Sequence, residues 1–153
     1  MRGKKAADLF EKGYNCAQAV AVAFCDLTGQ TEQQAAMMAS SFGGGLGRQR
    51  EICGAVSGMC LVLGMLEGYH DPQDHQGKKD QYALVQKLCG TFRQEAGSIL
   101  CRDILKSGDT DPNPQRRTPE YYNTRPCARM VYLAADILEE YLNDLQSKSD
   151  PEE

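Results

Sequence analysis

The sequence has 153 residues, of which 41% are hydrophobic, and it carries a formal net charge of −4. A chain of this size and composition is expected to fold as a single domain, which we place at residues 1–146. Its 17 basic and 21 acidic residues are well mixed and form no basic stripe, which argues against nucleic acid as a partner.

The first part of the chain contains three predicted helices. Helix-forming residues dominate and no segment shows the alternation of a strand, which predicts an all-α bundle of about five to seven helices. The first helix covers residues 4–13, and the second covers residues 16–27 after the cap Asn15. The third begins at Thr31, whose spacing to Gln34 is that of a capping box.

A glycine-rich connection follows the third helix. Residues 43–47 read Gly-Gly-Gly-Leu-Gly, and consecutive glycines interrupt a helix because they permit positive φ angles. The remaining predicted helices cover residues 51–67, 76–96, 101–106 and 126–145. Residues 107–119, rich in Asp and Pro, form one long loop, and residues 147–153 form a frayed polar tail.

Neither a membrane span nor an export signal is predicted. The longest apolar stretch, residues 54–66, is interrupted by Ser57 and is shorter than the ~17 residues that cross a bilayer. Residues 6–12 are amphipathic and do not form a continuous apolar signal core. We therefore expect a cytoplasmic protein that has no membrane partner.

The cysteines are the residues that most directly indicate function. There are seven, and an odd number of thiols in a reducing compartment disfavours a purely structural disulfide framework. A helix N-terminus carries partial positive charge and unpaired N–H groups, which lower the pKa of a thiol. Four cysteines lie at or near the first turn of a predicted helix, so we predict that they converge on one anionic centre: Cys16, Cys53, Cys101 and Cys127.

The other three cysteines lack this position in the predicted helices. Cys25, Cys60 and Cys89 lie among apolar neighbours, and a free cysteine behaves as a small buried hydrophobe. We interpret them as core-filling residues. Cys60 follows Cys53 by seven residues on the same helical face, so it could stand near the site as an auxiliary thiol.

The spacing of the four helix-start cysteines matches no common metal module. The chain contains no Cys-x-x-Cys pair, which excludes c-type haem attachment and weakens a thioredoxin-like motif. The glycine-rich connection is interpreted as a tight turn beside the cysteine site. Arg48 and Arg50, which follow it, could place positive charge next to thiolates.

Several short segments resemble one protein family. They are residues 13–20 (GYNCAQAV), 42–45 (FGGG), 53–58 (CGAVSG), 101–103 (CRD) and 125–127 (RPC). In this order they resemble the bacterial and archaeal redox-active proteins named for a C_GCAxxG_C_C motif, over most of the chain. The family is defined by four cysteines and a CGAxxG-like element. The resemblance implies that its four cysteines correspond to Cys16, Cys53, Cys101 and Cys127.

The resemblance implies a redox function more readily than a catalytic one. A similar cysteine domain in split-Soret-type cytochromes accompanies a 2Fe–2S cluster, which implies that the four cysteines hold such a cluster for electron transfer with a redox partner protein. The chain would then be an electron carrier or a component of an oxidoreductase. Two alternatives stay open for the same four residues, which are metal-free thiol–disulfide chemistry and a structural zinc site.

The oligomeric state is a separate expectation. A helical protein of this size that is rich in Ala and Gly can bury its Met and Tyr patches by forming a homodimer. Neither the electron donor nor the electron acceptor is specified by any motif in the chain.

Overall fold

The structure is a computed structural model, and it describes residues 1–149. These residues form helices and no strand, as predicted. In chain order the elements are α1 (Arg2–Glu11), α2 (Cys16–Ala23), α3 (Cys25–Thr28), α4 (Glu32–Ala39), a 3₁₀ turn (Ser40–Phe42), α5 (Gly43–Leu46), α6 (Gly54–Glu67), α7 (His75–Ala96), α8 (Cys101–Leu105), α9 (Pro119–Thr124) and α10 (Cys127–Ser149). Among the described residues, six helices have eight or more residues, in agreement with the five to seven expected.

Two helices begin with capping boxes, of which the one at Thr31 was predicted in full and the other was predicted only as a cap at Asn15. The side chain of Asn15 accepts the backbone N–H of Gln18, and the Gln18 side chain accepts the backbone N–H of Asn15. Thr31 and Gln34 make the same reciprocal pair at the start of α4. Each box satisfies N–H groups that have no partner within the helix, which fixes where the chain turns into helix.

Helix α2 lies at the centre of the bundle. It contacts α1, α4, α6 and α10, and most of its Ala and Val side chains are fully buried. Helices α2 and α6 pack closely. A Cβ atom added to Gly58 of α6 would lie only 2.7 Å from the carbonyl oxygen of Ala17 in α2, so this position leaves no room for a side chain. This close approach brings the first turns of α2 and α6 side by side, and both turns carry a cysteine.

Two boundaries in the N-terminal region differ from the prediction. Helix α1 begins at Arg2, whose guanidinium donates hydrogen bonds to the Ala23 carbonyl and to the carboxylate of Asp26. The helix predicted for residues 16–27 is broken at Phe24, which has a non-helical backbone (φ −113°, ψ 7°) and whose ring lies 5.0 Å from the Arg2 guanidinium. The prediction missed this contact because Arg2 is remote in sequence from Phe24.

Two elements in the second half also differ from the prediction. The helix predicted to begin at residue 51 begins at Gly54, because the backbone before it makes an isolated antiparallel bridge between Ile52 and Leu100. Helix α9 was not predicted. It starts with Pro119 and is capped by the Thr118 hydroxyl, which accepts the backbone N–H of Tyr121.

The last helix is longer than predicted. It continues past residue 145 to Ser149, so residues 147–149 of the predicted tail are helical, and residues 150–153 lie outside the described residues. The Ser147 and Ser149 hydroxyls donate hydrogen bonds to the carbonyls of Asn143 and Gln146 in the preceding turn. From residue 1 to residue 149, no helix combines the length and the apolar character needed to cross a membrane.

Candidate functional site

Four cysteines from four different helices line one cavity of 440 Å³. Each stands where a helix begins, as predicted: three are the first residues of α2, α8 and α10, and the fourth is the N-cap of α6. We call them the cavity cysteines: Cys16, Cys53, Cys101 and Cys127. Cys16 is half-buried and the other three are buried.

A short backbone bridge places two of the cavity cysteines next to each other. The N–H of Cys53 donates to the carbonyl of Ile99 over 2.7 Å, and the N–H of Cys101 donates to the carbonyl of Glu51 over 2.7 Å. Residues 51–53 and 99–101 therefore run antiparallel for one pair of hydrogen bonds. Residues that are 48 positions apart in the chain meet at the cavity through these two bonds.

The glycine-rich connection packs directly against the thiols. A Cβ atom at Gly45 would lie 2.7 Å from the Cβ of Cys101 and 2.6 Å from the backbone nitrogen of Glu51. Gly45 also has a φ of +72°, and Gly44 has a φ of +65°. At Gly54 a Cβ would lie 3.2 Å from the Cβ of Cys16. At Gly45 of the predicted tight turn, a side chain is therefore excluded by both the backbone angle and the lack of space.

Two of the cavity cysteines interact through their thiols. The Cys127 thiol acts as a hydrogen-bond donor to the sulfur of Cys16, which lowers the pKa of Cys16 to about 7, and burial opposes this change. The backbone N–H of Gly44 and the guanidinium of Arg117 lower the Cys16 pKa further. The same interaction raises the pKa of Cys127, together with burial and the negative charge of a Cys16 thiolate.

The other two cavity cysteines have raised pKa values. Burial raises the pKa of Cys53 to about 12, although the amides of Ala55 and Val56 in the first turn of α6 oppose the change. Burial also raises the pKa of Cys101, against the effect of Arg50, whose Nη1 lies 3.6 Å from the Cys101 sulfur. A lowered pKa was expected for each of the four thiols from its place at a helix start. This expectation is wrong for Cys53, Cys101 and Cys127, because desolvation and neighbouring thiols outweigh the effect of the helix terminus.

Four arginines line the cavity, and two of them follow the glycine-rich connection as predicted: Arg48, Arg50, Arg117 and Arg125. Arg50 is buried, and its Nε donates to the carbonyl of Asp109 over 2.8 Å. Arg48 donates to the carbonyls of Asp111 and Asn113. The long loop predicted at residues 107–119 is thus held against the cavity, and its residues 112, 114 and 115 form part of the cavity wall.

The aromatic residues around Arg117 and Arg125 were not among the predicted site residues. The Arg117 guanidinium lies 4.5 Å from the centre of the Phe10 ring and 4.8 Å from that of Tyr121, and it donates to the carbonyl of Tyr14 over 3.2 Å. Arg125 lies 4.6 Å from the centre of the same Tyr121 ring. The position of Arg125 two residues before Cys127 was the one local signal for these residues.

The remaining three cysteines do not line this cavity. Cys25 begins the four-residue helix α3, so a helix-start position is not restricted to the cavity cysteines as the sequence argument held. Cys89 packs in the hydrophobic core, as expected of a core-filling residue, and Cys60 is half-buried beside it. Each of the two is the main cause of the other's shifted pKa, which is raised at Cys60 and lowered at Cys89.

Whether the cavity can hold a metal centre depends on how many metal ions that centre contains. Four thiols facing one cavity are the donor set of a soft metal or an iron–sulfur cluster. Within residues 1–149, however, no three His, Cys, Asp or Glu side chains are spaced to bind one metal ion. A single tetrahedral ion requires all of its ligands around one point, and a two-iron cluster requires two thiolates at each iron. The four cavity thiols equal in number the ligands of either centre.

One comparison with known proteins gives a match. The sequence model of a family described as "Putative redox-active protein (C_GCAxxG_C_C)" matches residues 14–141, a range that contains all four cavity cysteines. No curated protein and no solved structure matches the chain.

Proposed function

The chain belongs to the C_GCAxxG_C_C family of redox-active proteins, and on that premise we propose that its four cavity cysteines hold a 2Fe–2S cluster for electron transfer. The main support is the convergence of four thiols from four helix starts on one cavity. When bound, such a cluster supplies a centre that accepts and releases one electron.

The surroundings of the thiols support an anionic centre. Four thiolates and a two-iron cluster carry net negative charge, which a buried site tolerates only with compensation. Arg50 stands 3.6 Å from the Cys101 sulfur, and the amides of Gly44, Ala55 and Val56 favour the thiolate forms of Cys16 and Cys53. Amide donors to sulfur and nearby positive charge both raise the reduction potential of a cluster.

The loop that forms the cavity wall gives a second contribution. Arg48 and Arg50 hold residues 109–113 over the cavity through backbone carbonyls, so these arginines bind the loop and face the thiols together. A wall of this kind limits the access of water, and solvent exposure is one of the factors that set the potential of a cluster. We expect the redox partner to approach at this loop.

Anaerobic purification followed by iron and acid-labile sulfide analysis tests this proposal. We expect about two iron and two sulfide per chain, visible absorption that bleaches with dithionite, and an electron paramagnetic resonance signal of the reduced form. A colourless protein with neither iron nor sulfide, which also fails to take up a cluster on anaerobic reconstitution, would overturn it.

A metal-free function is the second candidate, and the interaction between Cys16 and Cys127 favours it. In this mechanism the Cys16 thiolate attacks one sulfur of a substrate disulfide and forms a mixed disulfide, which releases the first substrate thiolate. Cys127 then attacks Cys16, loses its proton to solvent, and releases the second substrate thiolate. The chain is oxidised by two electrons and the substrate is reduced by two.

The two candidates give different results in one redox titration. A thiol–disulfide protein shows a two-electron couple without iron and a Cys16–Cys127 disulfide in peptide maps of the oxidised form. A cluster protein shows a one-electron couple that depends on iron. Zinc analysis of the same sample tests the structural zinc alternative, which the spacing of ligands in residues 1–149 does not favour.

A further inference from the structure

The cavity of the four cysteines carries more positive charge than the side chains around it neutralise. Four arginines line it, and within residues 1–149 no Asp or Glu does. Of these arginines, only Arg48 has a carboxylate oxygen within 4 Å in the described part of the chain, which is Oδ2 of Asp109 at 3.9 Å. Three guanidinium groups at the cavity therefore have no counter-charge from the described residues: Arg50, Arg117 and Arg125.

Arg50 carries this charge inside the protein and not on its surface. Its exposed fraction is 3%, its Nε donates to the carbonyl of Asp109, and its Nη1 lies 3.6 Å from the Cys101 sulfur. A carbonyl satisfies an N–H group but does not neutralise a guanidinium, and a buried charge is costly without a counter-charge. Arg50 and Arg48 also have φ angles of +61° and +64°, which a glycine would adopt without strain. Two charged side chains on this strained backbone indicate that their charge serves the cavity.

Arg117 and Arg125 are held in place by the same aromatic ring. Their guanidinium carbons lie 4.8 Å and 4.6 Å from the centre of the Tyr121 ring. Arg117 also donates to the carbonyl of Tyr14, and Arg125 donates to the side-chain oxygen of Gln115. These acceptors are neutral as well, and each guanidinium has several N–H groups, so donors remain for a ligand. A guanidinium that is fixed in this way is suited to paired hydrogen bonds with an oxyanion.

The cavity also has space for a ligand and contact with solvent. Its 440 Å³ lies in the range of about 300–1,000 Å³ that is usual for small-molecule sites. A 2Fe–2S cluster would add only its iron and sulfide ions to the thiols, and these fill a minor part of that volume. The loop residues Pro112, Pro114 and Gln115 are exposed and line the cavity, so solvent reaches it beside the loop. Part of the cavity wall is apolar: Ile104, Leu105, Pro112, Pro114 and Met130.

From this charge, this volume and this apolar wall we propose that the cavity binds a small organic carboxylate beside the four cysteines. The carboxylate group accepts hydrogen bonds from the arginines, and the apolar part of the ligand contacts the wall. An oxidised 2Fe–2S cluster with four thiolates carries about two negative charges, which leaves one of the three guanidinium charges for the ligand. Neutral thiols without a cluster leave all three. The carboxylate site therefore does not depend on the cluster.

Calorimetric titration of the full-length protein with benzoate tests this proposal. Benzamide is the neutral control, because it has the same ring and no charge, and inorganic sulfate is an anion without an apolar part. We expect saturable binding of about one benzoate per chain, and this binding should weaken as salt is added. Benzamide should show no measurable binding, and sulfate should bind more weakly than benzoate because it cannot use the apolar wall.

The variants Arg125→Gln and Arg129→Gln form a matched pair. Both arginines lie within two residues of Cys127, but Arg129 is exposed and does not line the cavity. Since a hydrogen bond to a charged group contributes about tenfold or more to affinity, we expect the dissociation constant of benzoate to rise about tenfold in Arg125→Gln. In Arg129→Gln it should stay at the wild-type value.

The proposal is overturned if the folded wild type does not bind benzoate, or binds benzamide equally well, and neither result needs a variant to fold. Equal dissociation constants in Arg125→Gln and Arg129→Gln would overturn it as well. Iron and sulfide are measured on the same samples, and the titration is repeated on protein from which the iron has been removed. Benzoate binding in a protein that takes up no iron supports this site while the cluster proposal fails, and iron without benzoate binding gives the opposite outcome.

Discussion

Two thiol pairs in this protein resemble each other in chemistry and differ in position. Cys16 and Cys127 meet at the starts of two helices inside the cavity, and Cys60 and Cys89 meet in the middle of two helices away from it. In each pair one cysteine has its pKa lowered to about 7 and its partner has its pKa raised.

The comparison separates the effect of a partner thiol from the effect of a helix terminus. The largest cause of the lowered pKa is the hydrogen bond from the partner thiol, both at Cys16, which is at a helix start, and at Cys89, which is not. Cys53 and Cys101 stand at helix starts as well, and burial raises their pKa values. A helix start therefore positions a thiol, and its contacts decide whether the thiol ionises.

What distinguishes the cavity pair is the additional set of ligands and charges around it. Two more cysteines and four arginines line the same cavity, and in the Cys60–Cys89 pair Arg93 is the charged group that lowers the pKa of Cys89. We infer from this difference that the cavity suits an anionic centre.

The largest expected effect comes from removing one cavity thiol. Cys127→Ser takes away a cluster ligand and the donor to Cys16, so we expect nearly all bound iron and visible absorption to be lost. Cys25→Ser, at a helix start outside the cavity, should keep the wild-type iron content. Iron analysis of both anaerobically purified variants measures this, and equal iron in the two would show that convergence on the cavity is not what binds the metal.

A smaller effect is expected from filling the space beside the thiols. Gly45→Ala combines a positive φ with a Cβ contact of 2.6 Å to the backbone of Glu51. We expect it to lower the free energy of unfolding by about 2–5 kcal/mol. Gly29→Ala is the matched control, because φ is +77° there and no atom lies within 4 Å of the added Cβ. Gly29→Ala should lower the free energy of unfolding by only about 1–2 kcal/mol.

Urea denaturation of the two glycine variants measures the difference. The iron content of Gly45→Ala should also fall, since the added methyl group displaces Cys101, and that of Gly29→Ala should not. Equal losses of stability in the two variants would mean that the glycine-rich connection is required for its backbone angle alone.

The sequence was sufficient for the features that depend on local patterns. The caps Asn15 and Thr31 were predicted because their side-chain bonds reach only three residues along the chain. The helix starts at Cys16, Cys101 and Cys127 followed from turns and from Pro126 in the same way. Local signals of this kind locate the ends of helices without knowledge of the fold.

Features that depend on distant contacts could not be predicted. The Ile52–Leu100 bridge and the stacking of Arg117 on Phe10 join residues far apart in the chain. Cys60 and Cys89 were interpreted as core-filling residues because each has apolar neighbours in sequence. Only the packing of α6 against α7 brings the two thiols together, and one sequence contains no signal for that register.

The smallest expected effect tests whether the partner thiol controls Cys89. With its pKa at about 7, Cys89 is about half thiolate at pH 7, whereas a thiol with the ordinary pKa of about 8.5 is only about 3% thiolate. Cys60→Ala removes the donor and raises the Cys89 pKa, and Arg93 still opposes the rise. Since a more basic thiolate is also a better nucleophile, the alkylation rate at pH 7 should fall only about threefold.

The pH dependence distinguishes this effect from a change in access. In the Cys60→Ala variant the midpoint of the Cys89 rate profile moves to higher pH, and near pH ~10, where both proteins are ionised, the variant should react as fast as the wild type or faster. A variant that is slower by the same factor at every pH has a less accessible thiol. That result would mean that Cys60 shapes the space around Cys89 and does not set its ionisation. Alkylation of Cys25 in both proteins serves as the internal standard.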